Sequence, residues 1–219
     1  MATDPVKTTL NKLDERVATM MNKNLLSGMG LGIVQNGKVI YAKGFGLANA
    51  ASNTPVSTDT VFRIASISKT FTAIGVMQLW EQGKFQLDDP INDHLSSFKV
   101  QHSDPSAPPV TIRHMLTHTS GIGEAKSLNE LIGGVLLNLS SEKIKPGDPI
   151  TPLAEYYNGV LRPDVFPEEK WAYANHAFST LGQLIEDVSG EPFPEYMLKH
   201  VFKPLGMFKT DYLFSNRVR

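Results

Sequence analysis

The sequence predicts an α+β fold, an antiparallel sheet flanked by helices and joined to a mainly helical lobe. Three observations carry that prediction. Asn36-Gly37 lies between two β-rich runs, 29–34 and 39–45, and both turn residues tolerate positive φ, the pattern of a two-residue hairpin. Apolar residues recur at helical spacing before the hairpin and again in the second half, above all over 175–188. Beyond the hairpin, only Val61-Phe62-Arg63-Ile64 reads as a further strand. The length of 219 residues suits one domain. Within it, the helix and sheet strands are expected over 1–65 and the helical lobe over 66–219.

Each element follows in order. Val6, Leu10, Leu13, Val17, Met20 and Met21 give a helix over about 5–26, with Pro5 in its first turn. Gly28, Gly30 and Gly32 invite a phosphate-loop reading, but such a loop follows a strand and opens a helix, whereas these lie inside a strand. They are better read as places where another backbone approaches closely. A helix from Ser66 to about Gln82 presents Ala73, Val76, Met77, Leu79 and Trp80, and Gly83 ends it. Leu87-Asp88-Asp89-Pro90 breaks the chain, and 101–109 is a Pro/Ser-rich loop. Thr111 caps a short helix through Leu116 that ends near Thr119-Ser120-Gly121. Residues 127–140 read as helical and 141–170 as irregular. Asn175–Val188 is a helix stopped by Ser189-Gly190, and a last helix runs from about Pro194 to Phe202.

Composition removes several classes. Hydrophobic residues at 41 % and charged residues at 20 % are ordinary globular usage and exclude a disordered or collagen-like chain. With 21 Lys+Arg against 22 Asp+Glu there is no basic excess, so no nucleic-acid partner is expected. No apolar run is long enough for a membrane span. Zero cysteines exclude a disulfide framework, a thiol nucleophile and Cys-ligated metal. The N-terminus has no positive patch followed by an apolar core, so the sequence as it stands reads as cytoplasmic, or as periplasmic or secreted if a signal peptide was trimmed.

The candidate chemistry starts at Ser66-x-x-Lys69. A serine hydroxyl becomes a competent nucleophile only when a base takes its proton. Positions three apart on a helix share a face, which sets Lys69 beside Ser66, while Ser68 points elsewhere. Ser66 also lies at an expected helix N-terminus, where free N–H groups favour developing negative charge. Alone, the tetrapeptide also fits a helix cap with a solvated lysine. Trp171-x-Tyr173-x-Asn175 adds a tyrosine able to shuttle a proton and an amide able to bind both a lysine and a carbonyl. The plainer alternative is a buried Tyr173 with Asn175 as a helix N-cap.

Taken together, the motifs resemble the serine β-lactamase / penicillin-binding protein superfamily, in its class C β-lactamase, D-alanyl-D-alanine peptidase and family VIII esterase branch. The resemblance rests on Phe62–Lys69, on Gly83-Lys84 through Leu87-Asp88-Asp89-Pro90-Ile91, on Met115-Leu116-Thr117-His118-Thr119-Ser120-Gly121, on Trp171-x-Tyr173-x-Asn175, and on Pro204-Leu205-Gly206-Met207 with Thr210. They occur in family order across nearly the whole chain. The resemblance implies a β-lactamase/transpeptidase-like fold and acyl transfer through an acyl-enzyme. Ser66 would be the nucleophile, and Lys69 and Tyr173 the proton-transfer pair. Asn175 would bind Lys69 and substrate, and the Ser66 backbone N–H would supply half of an oxyanion hole. Tyr157 and His118 are expected near the substrate. The substrate would be a small ester, peptide or β-lactam, and no cofactor or metal is implied.

Three departures stand out. Pro167 is followed by Glu168 where the family has Pro-Gly, and Ala174 stands where Ser is frequent. No Lys-Thr-Gly or His-x-Gly triplet follows Asn175. The expectation is therefore a single incomplete domain over 1–219 whose C-terminal sheet strands are missing. It would be completed by a C-terminal fragment or a second copy, and otherwise act as a non-turnover binding or scaffold protein. His114 and His118 have a zinc-ligand spacing but no third ligand, and are read as structural. Asn138-Leu139-Ser140 fits a glycosylation acceptor but is discounted without an export signal.

Overall fold

The computed structural model describes residues 5–123 and 151–213, with side chains from residue 9 onward. The chain forms two compact units, Met1–Phe62 and Arg63–Arg219.

The first unit holds helix α1 (Pro5–Lys23) and strands β1 (Gly28–Gln35), β2 (Lys38–Asn49) and β3 (Thr54–Pro55), paired antiparallel in that order. Asn36 and Gly37 have φ of 51° and 71°, the left-handed pair that a tight hairpin turn needs. The turn fixes the register from Gln35↔Lys38 outward, with an irregularity at Ile33/Val34. A Cβ on Gly28 would lie 2.4 Å from the Leu47 carbonyl oxygen, and one on Gly44 would lie 2.2 Å from that of Val56. Glycine here serves close backbone approach. Helix α1 reaches β2 through Asp14, which accepts from the Tyr41 hydroxyl and the Lys43 ammonium. Residues 61–64 form no strand, contrary to expectation. Among the described residues nothing pairs with them, and a strand without a partner has no ladder to hold it.

The second unit begins with a 3₁₀ turn (Ala65–Ile67) that feeds helix α2 (Ser68–Glu81). Then come β4 (Lys99–Val100), α3 (Ile112–Thr117), α4 (Leu153–Tyr156), β5 (Val160–Leu161), α5 (Asn175–Ser189) and α6 (Phe193–Met197), which runs into a π turn (Leu198–Phe202). Strands β4 and β5 pair in parallel. One buried cluster unites Val76 and Leu79 of α2, Ile112 and Met115 of α3, Leu181, Leu184 and Ile185 of α5, and Val201 and Phe202. Helix α2 comes so close to its neighbours at Gly75 that an added Cβ would sit 2.9 Å from Ile185 Cδ1 and 3.0 Å from Met197 Sδ.

The helix punctuation follows the expected residues. Thr111 Oγ1 accepts the His114 N–H at 3.2 Å, and His114 Nδ1 accepts the Thr111 N–H at 3.1 Å. This is a reciprocal capping box with histidine in the place of Glu or Gln. Gly190 ends α5 with φ 73°. The expected helix over 127–140, the first part of the 141–170 stretch and Asn138-Leu139-Ser140 lie outside the described residues. Among the described residues no helix is long and apolar enough to cross a membrane.

Candidate active site

Ser66 sits in the 3₁₀ turn, one turn ahead of Lys69 in the first turn of α2. The Lys69 ammonium donates to Ser66 Oγ at 3.3 Å. The Tyr173 hydroxyl donates to the same oxygen at 2.7 Å. Lys69 also donates to Asn175 Oδ1. Its Nζ stands 4.7 Å from the centroid of the Tyr173 ring and 5.8 Å from that of Phe178, so aromatic faces help to hold the cation. Two segments more than a hundred positions apart thus close on one oxygen.

The start of α5 shows how Asn175 comes to be available. The N-cap is Ala174, buried and extended at φ −138° and ψ 113°, with no side-chain cap. Asn175 is the first helical residue, and its amide oxygen accepts from Lys69. An alanine N-cap forgoes about 0.5–2 kcal/mol relative to Ser or Asn.

Three non-glycine residues in left-handed backbone surround this centre: Ala65 (φ 44°), directly before Ser66; His118 (φ 60°), which ends α3; and Glu168 (φ 67°). Each costs about 1–2 kcal/mol outside glycine, and such strain persists only where the surroundings over-determine it. Glu168 stands where glycine was expected and keeps the conformation glycine would adopt. Its N–H donates to the Thr119 carbonyl at 2.8 Å, and its carboxylate lies 3.3 Å from His114 Nε2. His114 is therefore occupied at both ring nitrogens. Among the described residues there is no group of three or more His, Cys, Asp or Glu that could hold a metal ion.

Of the two residues expected near substrate, His118 packs its ring on that of Tyr173 at 4.6 Å and near Phe178 at 5.2 Å and Trp171 at 5.8 Å. Tyr157 packs on Phe98 at 5.1 Å, and its hydroxyl meets His176 Nδ1 at 3.0 Å. Burial, with the neighbouring Tyr156 adding to it, pushes that hydroxyl well above the usual tyrosine range.

Sequence reasoning missed Tyr212. Its hydroxyl donates to the Ser68 carbonyl at 2.7 Å and lies 3.0 Å from Thr72 Oγ1, bracing the first turn of α2 from 144 positions away. No local pattern marks it. Beside Lys69 and Asn175 a cavity of about 680 Å³ opens, bounded by Thr72, Phe178, Phe193 and Tyr212.

A lysine and a tyrosine thus meet on one serine oxygen, and the Beta-lactamase family matches residues 13–214. The chain belongs to the β-lactamase family. All five sequence motifs fall within the matched span. PbpX of Bacillus subtilis is 33 % identical over 94 % of this chain and 49 % of its own length. Esterase EstB of Burkholderia gladioli is 31 % identical over 95 % of this chain and 53 % of its own length. The octameric penicillin-binding protein homologue of Pyrococcus abyssi superposes with a TM-score of 0.73 at 30 % identity, over 95 % of this chain and 45 % of that one. The chain spans about half the length of the curated relatives it matches. Its fold is β-lactamase/transpeptidase-like, and its family is one of serine hydrolases.

Proposed function

We propose that this β-lactamase-family chain carries the acyl-transfer centre of a serine hydrolase, with Ser66 as nucleophile. The observation that carries this reading is the convergence of Lys69 Nζ and Tyr173 Oη on one oxygen, Ser66 Oγ, at hydrogen-bond distance. Oγ attacks the carbonyl carbon of an ester, amide or β-lactam. The new bond is Oγ–C, and the serine proton passes to whichever of Lys69 Nζ and Tyr173 Oη has given up its own. The Ser66 backbone N–H faces the developing oxyanion as one donor. As the bond to the leaving oxygen or nitrogen breaks, the group that took the serine proton returns it to that atom, directly from Tyr173 Oη or by relay from Lys69 through Tyr173. Water then releases the acyl group by the reverse path. Asn175 orients Lys69 and offers its amide to the substrate, while His118 backs the Tyr173 ring.

Labelling with a fluorophosphonate and with a fluorescent penicillin, read by intact mass, tests this. An adduct on wild type that is absent from Ser66→Ala is the expected result, and no adduct on either overturns the reading. Hydrolysis of a nitrophenyl ester against a chromogenic cephalosporin then separates an esterase from a β-lactamase.

A second reading has its own observation: the chain spans about half the length of the curated relatives it matches. In it the chain binds and is acylated without turning over, until a complementing C-terminal segment or a second copy supplies the missing groups. Persistence of the labelled mass over hours, with no ester turnover, selects this reading. One relative is octameric, and sedimentation velocity tests self-association here.

A further inference from the structure

We propose that His118 is a positioning residue for Tyr173, clamping the main chain on both sides of it so that the phenol meets Ser66 Oγ. The proposal rests on the reading of Ser66 as nucleophile and deepens it.

Two hydrogen bonds form the clamp. The His118 carbonyl accepts the Ala172 N–H at 2.9 Å, and His118 Nδ1 accepts the Ala174 N–H at 3.1 Å. The residues bonded are the two neighbours of Tyr173. Both bonds depend on how α3 ends. His118 is its C-cap at φ 60° and ψ 33°, and this left-handed turn carries its carbonyl out of the helical ladder and across to residue 172. Asn, Asp and His are the non-glycine residues that tolerate this backbone best.

The ring acts in two ways. An amide N–H can only donate, so Nδ1 is the unprotonated nitrogen and the ring proton sits on Nε2. The ring face also lies against Tyr173, centroids 4.6 Å apart and planes 33° apart, which limits the swing of the phenol. Ala174 is fully buried, so its N–H has no water to turn to and depends on this acceptor. The clamped segment leads straight into α5, whose first residue, Asn175, binds Lys69. One histidine thereby sets the approach of two groups to the nucleophile.

Two substitutions at His118 separate the clamp from ring packing. His118→Asn puts Oδ1 near the place of Nδ1 and tolerates the left-handed backbone. His118→Phe keeps the ring and loses the acceptor. Acylation of Ser66 by a nitrophenyl ester, followed as nitrophenolate release, is resolved into an encounter constant and an acylation rate constant, alongside melting temperature and NMR amide exchange at Ala174. His118→Asn is expected within about threefold of wild type, and His118→Phe slower in the acylation step by about 10- to 100-fold with its encounter constant unchanged, as misplacement by an ångström produces. Ala174 protection is retained in the first and lost in the second. If His118→Phe does not fold, His118→Gln, whose amide reaches the Nε2 position, is expected to show the same slow acylation. Acylation by the acceptor-less variant at the wild-type rate, or a His118→Asn as slow as His118→Phe, overturns the proposal. If wild type itself takes no label, the nucleophile assignment fails, and amide exchange alone then decides the clamp: unchanged protection in His118→Phe sinks it.

Discussion

The hairpin unit and the helical lobe achieve order by different means. In the hairpin, two residues do most of the specification. Asn36 and Gly37 take left-handed backbone, and the register follows from them along β1 and β2. Burial contributes little: among the described residues, the buried apolar side chains of that unit are Val17, Met21 and Val56, while Val34 and Val39 are 66 % and 69 % exposed. The lobe reverses this balance. Its buried cluster runs through α2, α3, α5 and the 198–202 turn, and the geometry of the candidate site depends on that packing. Local turn chemistry can be read in a few adjacent residues, whereas a site built from 66–69 and 173–175 exists only once the core between them has formed.

Predictions that would break or sharpen this contrast run from large to small. Leu181→Ala removes a fully buried side chain of the lobe and should cost about 2–5 kcal/mol, whereas Val34→Ala should stay within about 0.5 kcal/mol. Urea titrations followed by circular dichroism measure both, and equal losses would erase the distinction. Gly37→Val forces a branched side chain into φ 71° and should cost about 1–2 kcal/mol, read as a lower melting temperature of the hairpin variant. A neutral result would mean that the turn does not set the register.

Relief of strain in the lobe should act in the opposite direction. Glu168→Gly removes left-handed strain of about 1–2 kcal/mol at some cost in chain entropy, so a net gain of a few tenths to about 1 kcal/mol is expected, visible as a raised melting temperature. Loss of stability there would show that the contact with His114 outweighs the backbone.

The smallest effect is one of pH. Burial raises the Asp187 carboxyl, but the Ser96 backbone N–H, with Gln183 and Ser97, outweighs it and holds the group below its usual value. A carboxyl lowered on folding contributes stability that is full above its unfolded value of about 3.9 and fades as pH falls through the lower folded one. Stability measured between pH 5 and the acid limit, set against Asp187→Asn, should show a shallower acid slope in the variant. Identical slopes would remove Asp187 from the balance.

Much of the candidate site is legible in the sequence. Ser66 and Lys69 are three apart, Tyr173 and Asn175 two apart, and both pairs follow from the chemistry of their residue types. Three features are not. Asn175 reads equally well as a cap or as a ligand to Lys69, because the same amide serves either role. Tyr212 has no local pattern, since its partners are a carbonyl and a hydroxyl 140 or more positions away. Residues 61–64 look like a strand by composition, yet strand formation depends on a partner that the local sequence does not encode.

By itself, the sequence determined the hairpin and its turn, the capping of α3 by Thr111, the ends of α2 and α5, and the candidate nucleophile. These rest on interactions within a few residues, where backbone sterics and hydrogen bonding act at fixed spacing. Tertiary structure alone decided that Tyr173 and Lys69 meet at Ser66 Oγ and that His118 faces Tyr173. It also decided that Ala65, His118 and Glu168 hold left-handed backbone around the centre. Such conformations are unfavourable locally and persist because the packed core and its hydrogen bonds leave the chain no better arrangement.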